Sequence, residues 1–294
     1  MIKILIQTTI PYEENNWHVG RFSLVTEHLR SIRAENGEPM FDVRTRDREP
    51  DANGDDPLLA AVDELDFDEV WLTAADSGNG LSTAECEAFT RFRQKGGGIL
   101  SMRDHMDLGA SLCSIHGIGQ ANFFHSMNQE PDETRRRRDD IVTETIDFPN
   151  YHSGRNGDFQ EIITGDTVHP LLKRKDGTAI RFFPAHPHEG AVGAPSDDSS
   201  ASVIAYGTSK VSGAAFNLVV AFEPVKGETE GELGRAAVHS SFHHFADYNW
   251  NPELGCPDFV TEAPGDGYAS DPDALNDIKT YVGNLALWLA PNQK

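Results

Sequence analysis

The sequence predicts a doubly wound α/β protein with a mostly parallel sheet and helices on both of its faces. Three observations support this class. Short apolar strands alternate with amphipathic helical segments over the first hundred residues. A glycine run, Gly96-Gly97-Gly98, is suited to ending one helix and turning the chain into the next strand. The resulting βαβαβαβ order is typical of a parallel sheet with right-handed crossovers.

The elements of the first half follow this order along the chain. The predicted strands are short apolar runs, at residues 2–8, 40–44, 67–72 and 99–102. The predicted helices carry apolar residues at helical spacing, at residues 22–32, 58–65 and 108–115. One more helix is expected to begin after Ser82, because Glu85 stands three residues further on and completes a capping box.

The second half of the chain has a looser pattern. Further short strands are predicted at residues 141–145, 180–183, 202–206, 216–222 and 236–239. Residues 274–289 carry an amphipathic pattern that predicts a closing helix. Since no linker or internal repeat divides the chain, we predict a single domain over residues 1–294 with an insertion-rich second half.

Composition limits the classes of partner. The chain carries 25 Lys and Arg against 47 Asp and Glu, a formal charge of -22. Such a surface repels phosphate backbones and anionic lipids, so nucleic acid and membranes are not expected partners. A small-molecule substrate is expected instead, and a homo-oligomer is possible.

Cysteine usage and the start of the chain indicate the compartment. Cys86, Cys113 and Cys256 are scattered, with no CxxC pair, which is typical of reduced thiols. The first residues form a strand-like apolar run without a signal-peptide pattern, and no apolar run approaches the ~20 residues that cross a bilayer. We therefore predict a cytoplasmic protein.

Several common catalytic and cofactor motifs are missing. The chain has no GxGxxG after its first strand, no GxxxxGK[ST] loop, no HExxH helix and no GxSxG elbow. No nucleotide cofactor is expected. The chemistry is expected to come from histidines, because half of the 12 stand in three short knots.

The first knot is Arg103-Asp104-His105, directly after the fourth predicted strand. A glycine-led strand that runs into polar residues and then a helix is typical of an elbow that projects a side chain above the sheet. Asp104 and His105 are therefore candidate catalytic residues, and Arg103 is a candidate substrate-binding residue. The alternative for Asp104 is a capping role at the following helix.

The second knot follows the last predicted strand and contains His239, His243, His244 and Asp247. His243 is a candidate catalytic base held by Asp247, and His244 is a candidate metal ligand. His239 alone is better explained as a hydrogen-bonded core histidine. Trp250, a little further on, is a candidate substrate-binding residue.

The third knot is His186-Pro187-His188-Glu189. Proline favours an extended loop here, and the spacing places both imidazoles on one face. His186 and His188, together with His105 and His244, are candidate ligands of a divalent metal such as zinc. Glu189 is a candidate substrate-binding residue. So is His18, in the loop after the first strand.

Several short features occur together in this chain: a loop histidine after the first strand, Leu81-Ser82-x-x-Glu85 leading through Phe89 and Phe92 to the glycine run, His169-Pro170-Leu171, and Gly234-Arg235 before a strand and a histidine. On these features the chain resembles the trehalose-utilisation (ThuA-like) family of the class I glutamine amidotransferase-like superfamily. This resemblance implies a flavodoxin-like core. Amidotransferases of this superfamily carry a cysteine at the elbow; this chain has none there, so hydrolysis of glutamine by a thiolate is not expected.

Together these features predict an enzyme that acts on a small polar molecule, with a sugar derivative as the candidate substrate. Its His and Asp residues would either bind a divalent cation or carry out metal-free acid–base chemistry, and hydrolysis and isomerisation fit both. The alternative is a non-catalytic carbohydrate- or ligand-binding module on the same fold. Either function requires the segments near His105 and His243 to meet in one crevice above the sheet.

Overall fold

The computed structural model describes residues 1–123, 126–225 and 233–291. In chain order its strands are β1 Ile2–Thr8, β2 Phe41–Arg46, β3 Glu69–Thr73, β4 Gly98–Met102, β5 Asn122–Phe123, β6 Phe159–Glu161, β7 Phe182–Pro184, β8 Ala191–Val192, β9 Ala201–Thr208, β10 Ala215–Phe222 and β11 Ala236–His239. Its α-helices are α1 Ser23–Ser31, α2 Thr83–Gln94, α3 Asp247–Trp250, α4 Gly267–Ser270 and α5 Leu275–Leu289. None of the helices in these residues is long and apolar enough to span a bilayer.

The main sheet has seven strands in the order β2-β1-β3-β4-β11-β10-β9. Five of them, β2, β1, β3, β4 and β11, are mutually parallel, and β10 and β9 extend the sheet antiparallel. The parallel part has the 2-1-3-4-5 order of the flavodoxin-like fold. Two short antiparallel pairs, β5 with β8 and β6 with β7, lie outside this sheet. The predicted fold class is therefore confirmed.

Helices cover both faces of the sheet, because alternate residues of each strand face opposite ways. Ile4 of β1 packs in a cluster with Leu29 of α1 and Val282 of α5. The next residue, Leu5, packs on the other face with Phe89 and other residues of α2. Each face of the sheet thus has its own apolar layer.

The predicted helix starts and lengths are partly confirmed. Ser82 and Glu85 form the expected capping box, with reciprocal side-chain to backbone hydrogen bonds at the start of α2. The segments predicted as helices at residues 58–65 and 108–115 are 3-10 turns, Leu59–Glu64 and Ala110–Ser114. Short segments of this kind gain too few hydrogen bonds to propagate as α-helix.

The predicted strand at residues 141–145 is wrong. Oδ1 of Asp140 accepts hydrogen bonds from the backbone N–H groups of Val142 and Thr143, at 2.8 and 3.0 Å. A side chain that binds the backbone in this way forms a turn and competes with strand pairing. Ile141 and Val142 are exposed, so the branched side chains that suggested a strand do not enter a core.

The topology determines where a site can form. Because β1, β3, β4 and β11 are parallel neighbours, their carboxyl ends lie at one edge of the sheet. Ligands bind outside this edge in open α/β sheets. The first and second histidine knots follow β4 and β11, which are adjacent strands.

Candidate functional site

A cavity of about 310 Å³ lies at this edge of the sheet. Segments that follow all four of the strands named above contribute to its walls, and the rest comes from loops of the second half. The lining residues that enter the argument are Trp17 after β1, Asp104 and His105 after β4, Asn156, His186, His188, His243 after β11, and Glu262. The segments near His105 and His243 therefore do meet in one crevice.

Asp104 stands at the elbow after β4 and is almost completely buried. The hydroxyl of Ser241 donates to its Oδ1 at 3.0 Å. Backbone packs closely behind it: a Cβ on Gly190 would lie 2.4 Å from the carbonyl oxygen of Asp104, so only glycine fits there. Met106, two residues on, has a φ of 49°, a conformation that non-glycine residues rarely adopt. The elbow is thus a tightly constrained support for the carboxylate.

His186 and His243 stack beside Asp104, with ring centroids 3.6 Å apart and planes 12° apart. Nδ1 of His186 lies 2.9 Å from Oδ1 of Asn156, and Nδ1 of His243 lies 2.9 Å from Oδ1 of Asn249. Because an amide oxygen only accepts, each Nδ1 carries the proton. When the ring is neutral, this tautomer leaves Nε2 with a free lone pair.

Both of these Nε2 atoms face the carboxylate of Asp104. The distance from Nε2 of His186 to Oδ1 is 3.5 Å, and that from Nε2 of His243 to Oδ2 is 3.6 Å. Nε2 of His186 is buried without a hydrogen-bond partner. Lone pairs thus point at carboxylate oxygens in a site where all three side chains are buried. Such an arrangement is stabilised by a cation between the groups.

The protonation states suit metal ligands. Burial lowers the pKa of His186 well below its usual value, which favours the neutral ring. Burial opposes the charge on Asp104, but the His105 imidazole, and behind it those of His186 and His243, hold the pKa of its carboxyl well below the usual range. A neutral imidazole and an ionised carboxylate are the forms that bind a metal.

The same three residues satisfy a geometric criterion for an ion site. One ligand atom from each of Asp104, His186 and His243 lies within 4.8 Å of the other two. Ligands about 2.0–2.1 Å from a tetrahedral ion are separated by about 3.3–3.4 Å, close to the distances from each Nε2 to the carboxylate. The Asn side chains behind both rings supply the outer contacts that metal-bound histidines commonly have.

His105 and His188 complete the imidazole cluster on the cavity wall. Nδ1 of His105 lies 3.2 Å from Oδ2 of Asp104. Its ring centroid is 5.3 Å from that of His188. His105 is partly accessible, with 15% of its side chain exposed, so it can exchange protons with a ligand in the cavity.

The expected pairing of His243 with Asp247 is absent, which corrects the sequence-based hypothesis. Both oxygens of Asp247 accept hydrogen bonds at the start of α1, from the backbone N–H groups of Ser23 and Leu24 and from the Ser23 hydroxyl. A carboxylate at a helix N-terminus has favourable electrostatics of its own. The group that orients His243 is Asn249 instead.

His244 also lies apart from the cluster around Asp104. Its Nε2 is 3.1 Å from Oε1 of Glu189, and its Nδ1 is 3.2 Å from Nδ1 of His239. His239 in turn contacts the Tyr281 hydroxyl at 2.6 Å. His244 and His239 thus belong to a buried chain of hydrogen bonds, which agrees with the core interpretation of His239. His244 does not line the cavity.

The four predicted substrate-binding residues do not line the cavity either. Arg103 is buried and donates to backbone carbonyls, among them that of Ala191. Glu189 accepts from Ser153, Gln160, Ser240 and His244. The Trp250 indole donates to the carbonyl of His244, and His18 caps the 3-10 turn that follows it. Each of these side chains is engaged in local structure.

Sequence reasoning missed several polar residues in or behind the site, among them Asn156, Asn249, Asp140 and Glu262. Asn249 stands within the second knot and could have been suspected from that position. The other three come from loops without a recognisable motif, and only the folded chain brings Asn156 and Glu262 to the cavity and Asp140 close to His188.

Comparisons with known proteins add little to this geometry. No protein-family model matches the chain, and no curated protein matches it. Among solved structures, the glutaminase domain of Trypanosoma brucei CTPS with bound acivicin is similar at a TM-score of 0.44 and 12% identity, covering 100% of this chain and 98% of that chain. The fold assignment above rests on strand order, and ThuA-like membership stays a prediction.

Proposed function

We propose that this protein is an enzyme that hydrolyses or isomerises a small polar substrate with the help of a divalent cation, such as zinc, held by Asp104, His186 and His243. The observation that supports this proposal most directly is that Nε2 of His186 and Nε2 of His243 lie 3.5 and 3.6 Å from the carboxylate oxygens of Asp104, in a site where all three side chains are buried. Without a cation or a proton between each Nε2 and the carboxylate, these atoms repel, and Nε2 of His186 is left buried without a hydrogen-bond partner, which is costly.

Each of the surrounding residues has a role in this proposal. A bound divalent cation would polarise a carbonyl oxygen or lower the pKa of a water molecule. His105 would take the proton from that water and return it to the leaving group, so no net proton is consumed. Asn156 and Asn249 would hold the ligand rings. Parallel rings place a shared ion outside both ring planes, so binding should open the 12° angle between His186 and His243.

The cavity favours a neutral polar substrate. No Lys or Arg is among the described residues that line it, whereas Asp104 and Glu262 contribute carboxylates. A cation would balance those charges, and the described lining residues offer no permanently cationic side chain to a phosphate or carboxylate of a substrate. The size is at the lower end of ligand pockets, and aromatic side chains such as Trp17 stand among the polar groups. A sugar derivative fits this chemistry.

The test combines metal analysis with activity. Purified protein is treated with a chelator, reloaded with Zn²⁺, and assayed on neutral sugar esters, lactones and aldose–ketose pairs. We expect turnover to require the ion and to fall by about 100-fold or more in Asp104→Asn and His243→Gln. His169→Gln is the matched control, because His169 binds Glu223 outside the cavity.

Two other outcomes of this test would contradict the proposed function. Turnover that depends on Asp104 and His243 but occurs without a retained ion would overturn the proposed role of the cation. It would support metal-free acid–base chemistry by the same residues. If the protein binds a sugar but retains no ion and shows no turnover, the proposal of an enzyme is overturned and a binding module is supported.

A further inference from the structure

Two further buried side chains, His188 and Asp140, each have a polar atom without a hydrogen-bond partner, and the His188 ring lies near the His105 and His186 rings. Nδ1 of His188 and Oδ2 of Asp140 face each other at 3.8 Å, and their side chains are only 6% and 1% exposed. Neither atom has a hydrogen-bond partner. The other oxygen of Asp140 is already used by the turn that follows it.

The opposite nitrogen of His188 shows which tautomer the ring adopts. Its Nε2 lies 2.7 Å from Oε1 of Glu262, a short distance that indicates a hydrogen bond donated to the carboxylate. In the neutral ring Nδ1 then carries a lone pair, and this lone pair points toward Asp140. A proton on Nδ1 would not join the two groups directly, because 3.8 Å is too long for a hydrogen bond.

We propose that His188 and Asp140 hold a second divalent cation, so that the cavity contains two. Bonds of about 2.0–2.2 Å from an ion to each atom span up to about 4.4 Å, and the observed separation lies within that range. The order Glu262, His188, cation repeats the carboxylate–histidine–metal arrangement in which an outer carboxylate fixes the ligand ring. Asn156 and Asn249 play the same part for the first site.

The two sites are neighbours, because His188 lines the same cavity as Asp104, His186 and His243. His105 lies between them, with its Nδ1 close to Asp104 and its ring close to that of His188. Paired cations stabilise the attacking and leaving oxygens of a displacement. This catalytic role of the second ion rests on the proposed function, whereas its binding does not.

The experiment counts ions. Chelator-treated protein is equilibrated with Co²⁺ or Zn²⁺, passed through a desalting column, and analysed for metal per chain, with the Co²⁺ absorption spectrum as a second readout. We expect two ions in the unaltered protein, and one each in Asp140→Asn and in Asp104→Asn. Asp140→Asn keeps the oxygen that the turn requires. Asp139→Asn is the matched control, since Asp139 binds Ser212 instead, and it should retain two.

The two proposals fail in different ways. One ion that is lost in Asp104→Asn and retained in Asp140→Asn overturns the second site and leaves the first. One ion that is retained in Asp104→Asn and lost in Asp140→Asn overturns the first site and leaves the second. No retained ion overturns both, and a bridging water would then account for the 3.8 Å separation.

Discussion

The side-chain amide of Asn249 donates a hydrogen bond to Oδ1 of Asn156 at 2.8 Å. This contact joins the two groups that orient the stacked rings of His243 and His186. The same amide also donates to the carbonyl of Ala185, one residue before His186. The orientation of both candidate ligands therefore depends on a single small network.

Removing that network should weaken metal binding. In Asn249→Ala the His243 ring loses the oxygen that fixes its tautomer, and Asn156, which holds the His186 ring, loses a hydrogen-bond donor. We therefore expect zinc affinity to fall by about 10- to 100-fold. The measurement is a competition titration against a chromophoric chelator. Asn251→Ala is the control, because Asn251 caps the 3-10 turn Pro252–Leu254 and does not line the cavity. Equal affinities of the two variants would contradict the role of Asn249.

Asp247 should matter for stability and not for the metal. Asp247→Ala removes three hydrogen bonds to the start of α1. We expect the free energy of unfolding to fall by about 1–2 kcal/mol, with metal stoichiometry unchanged. Urea unfolding measures the first and elemental analysis the second. Asp258→Ala, at an exposed position, should change stability by less than about 0.5 kcal/mol. Loss of the ion in Asp247→Ala would restore the sequence-based hypothesis.

Gly190 should tolerate no side chain. In Gly190→Ala the new Cβ would meet the carbonyl oxygens of Asp104 and Ser240 at 2.4 and 2.6 Å. We expect a loss of about 1–3 kcal/mol in the free energy of unfolding, together with weaker metal binding as the elbow shifts. Thermal unfolding and the chelator competition measure both effects. A Cβ on Gly165 meets nothing within 4 Å, so Gly165→Ala should resemble the unaltered protein.

Acid should destabilise the protein through its buried histidines. Burial lowers the pKa of His239 well below its usual value of 6.5, so the unfolded chain takes up a proton that the folded chain does not. The stability that this adds is present above pH 6.5 and is lost as pH falls through the folded-state pKa. The slope for one such group reaches about 1.4 kcal/mol per pH unit.

Replacing His239 tests this dependence. In His239→Gln the free energy of unfolding between about pH 5 and about pH 6.5 should fall less steeply with acid, by up to the slope of one group. Urea unfolding at several pH values is the measurement. A slope identical to that of the unaltered protein would show that His239 titrates alike in both states.

The order of strands and helices in the first half of the chain, and the edge of the sheet at which the site lies, can be predicted from the sequence alone. The apolar periods that mark β1 to β4, the capping box of Ser82 and Glu85, and the glycine run are local patterns, and the backbone obeys them because hydrogen bonding and burial act within a few residues. Parallel strands then bring the segments after β4 and β11 to one edge. On that ground Asp104, His105 and His243 could be expected near one another.

Which of two neighbouring side chains faces the cavity depends on contacts between distant parts of the chain. His243 and His244 are adjacent in a 3-10 turn, yet one contacts Asn249 and the other contacts Glu189. Asp247 has a carboxylate, as a catalytic partner of His243 would, but that carboxylate accepts a hydrogen bond from the start of α1 instead. These choices depend on contacts between segments far apart in the chain, in which burial and hydrogen bonding compete over the whole fold. No local period encodes the outcome of that competition.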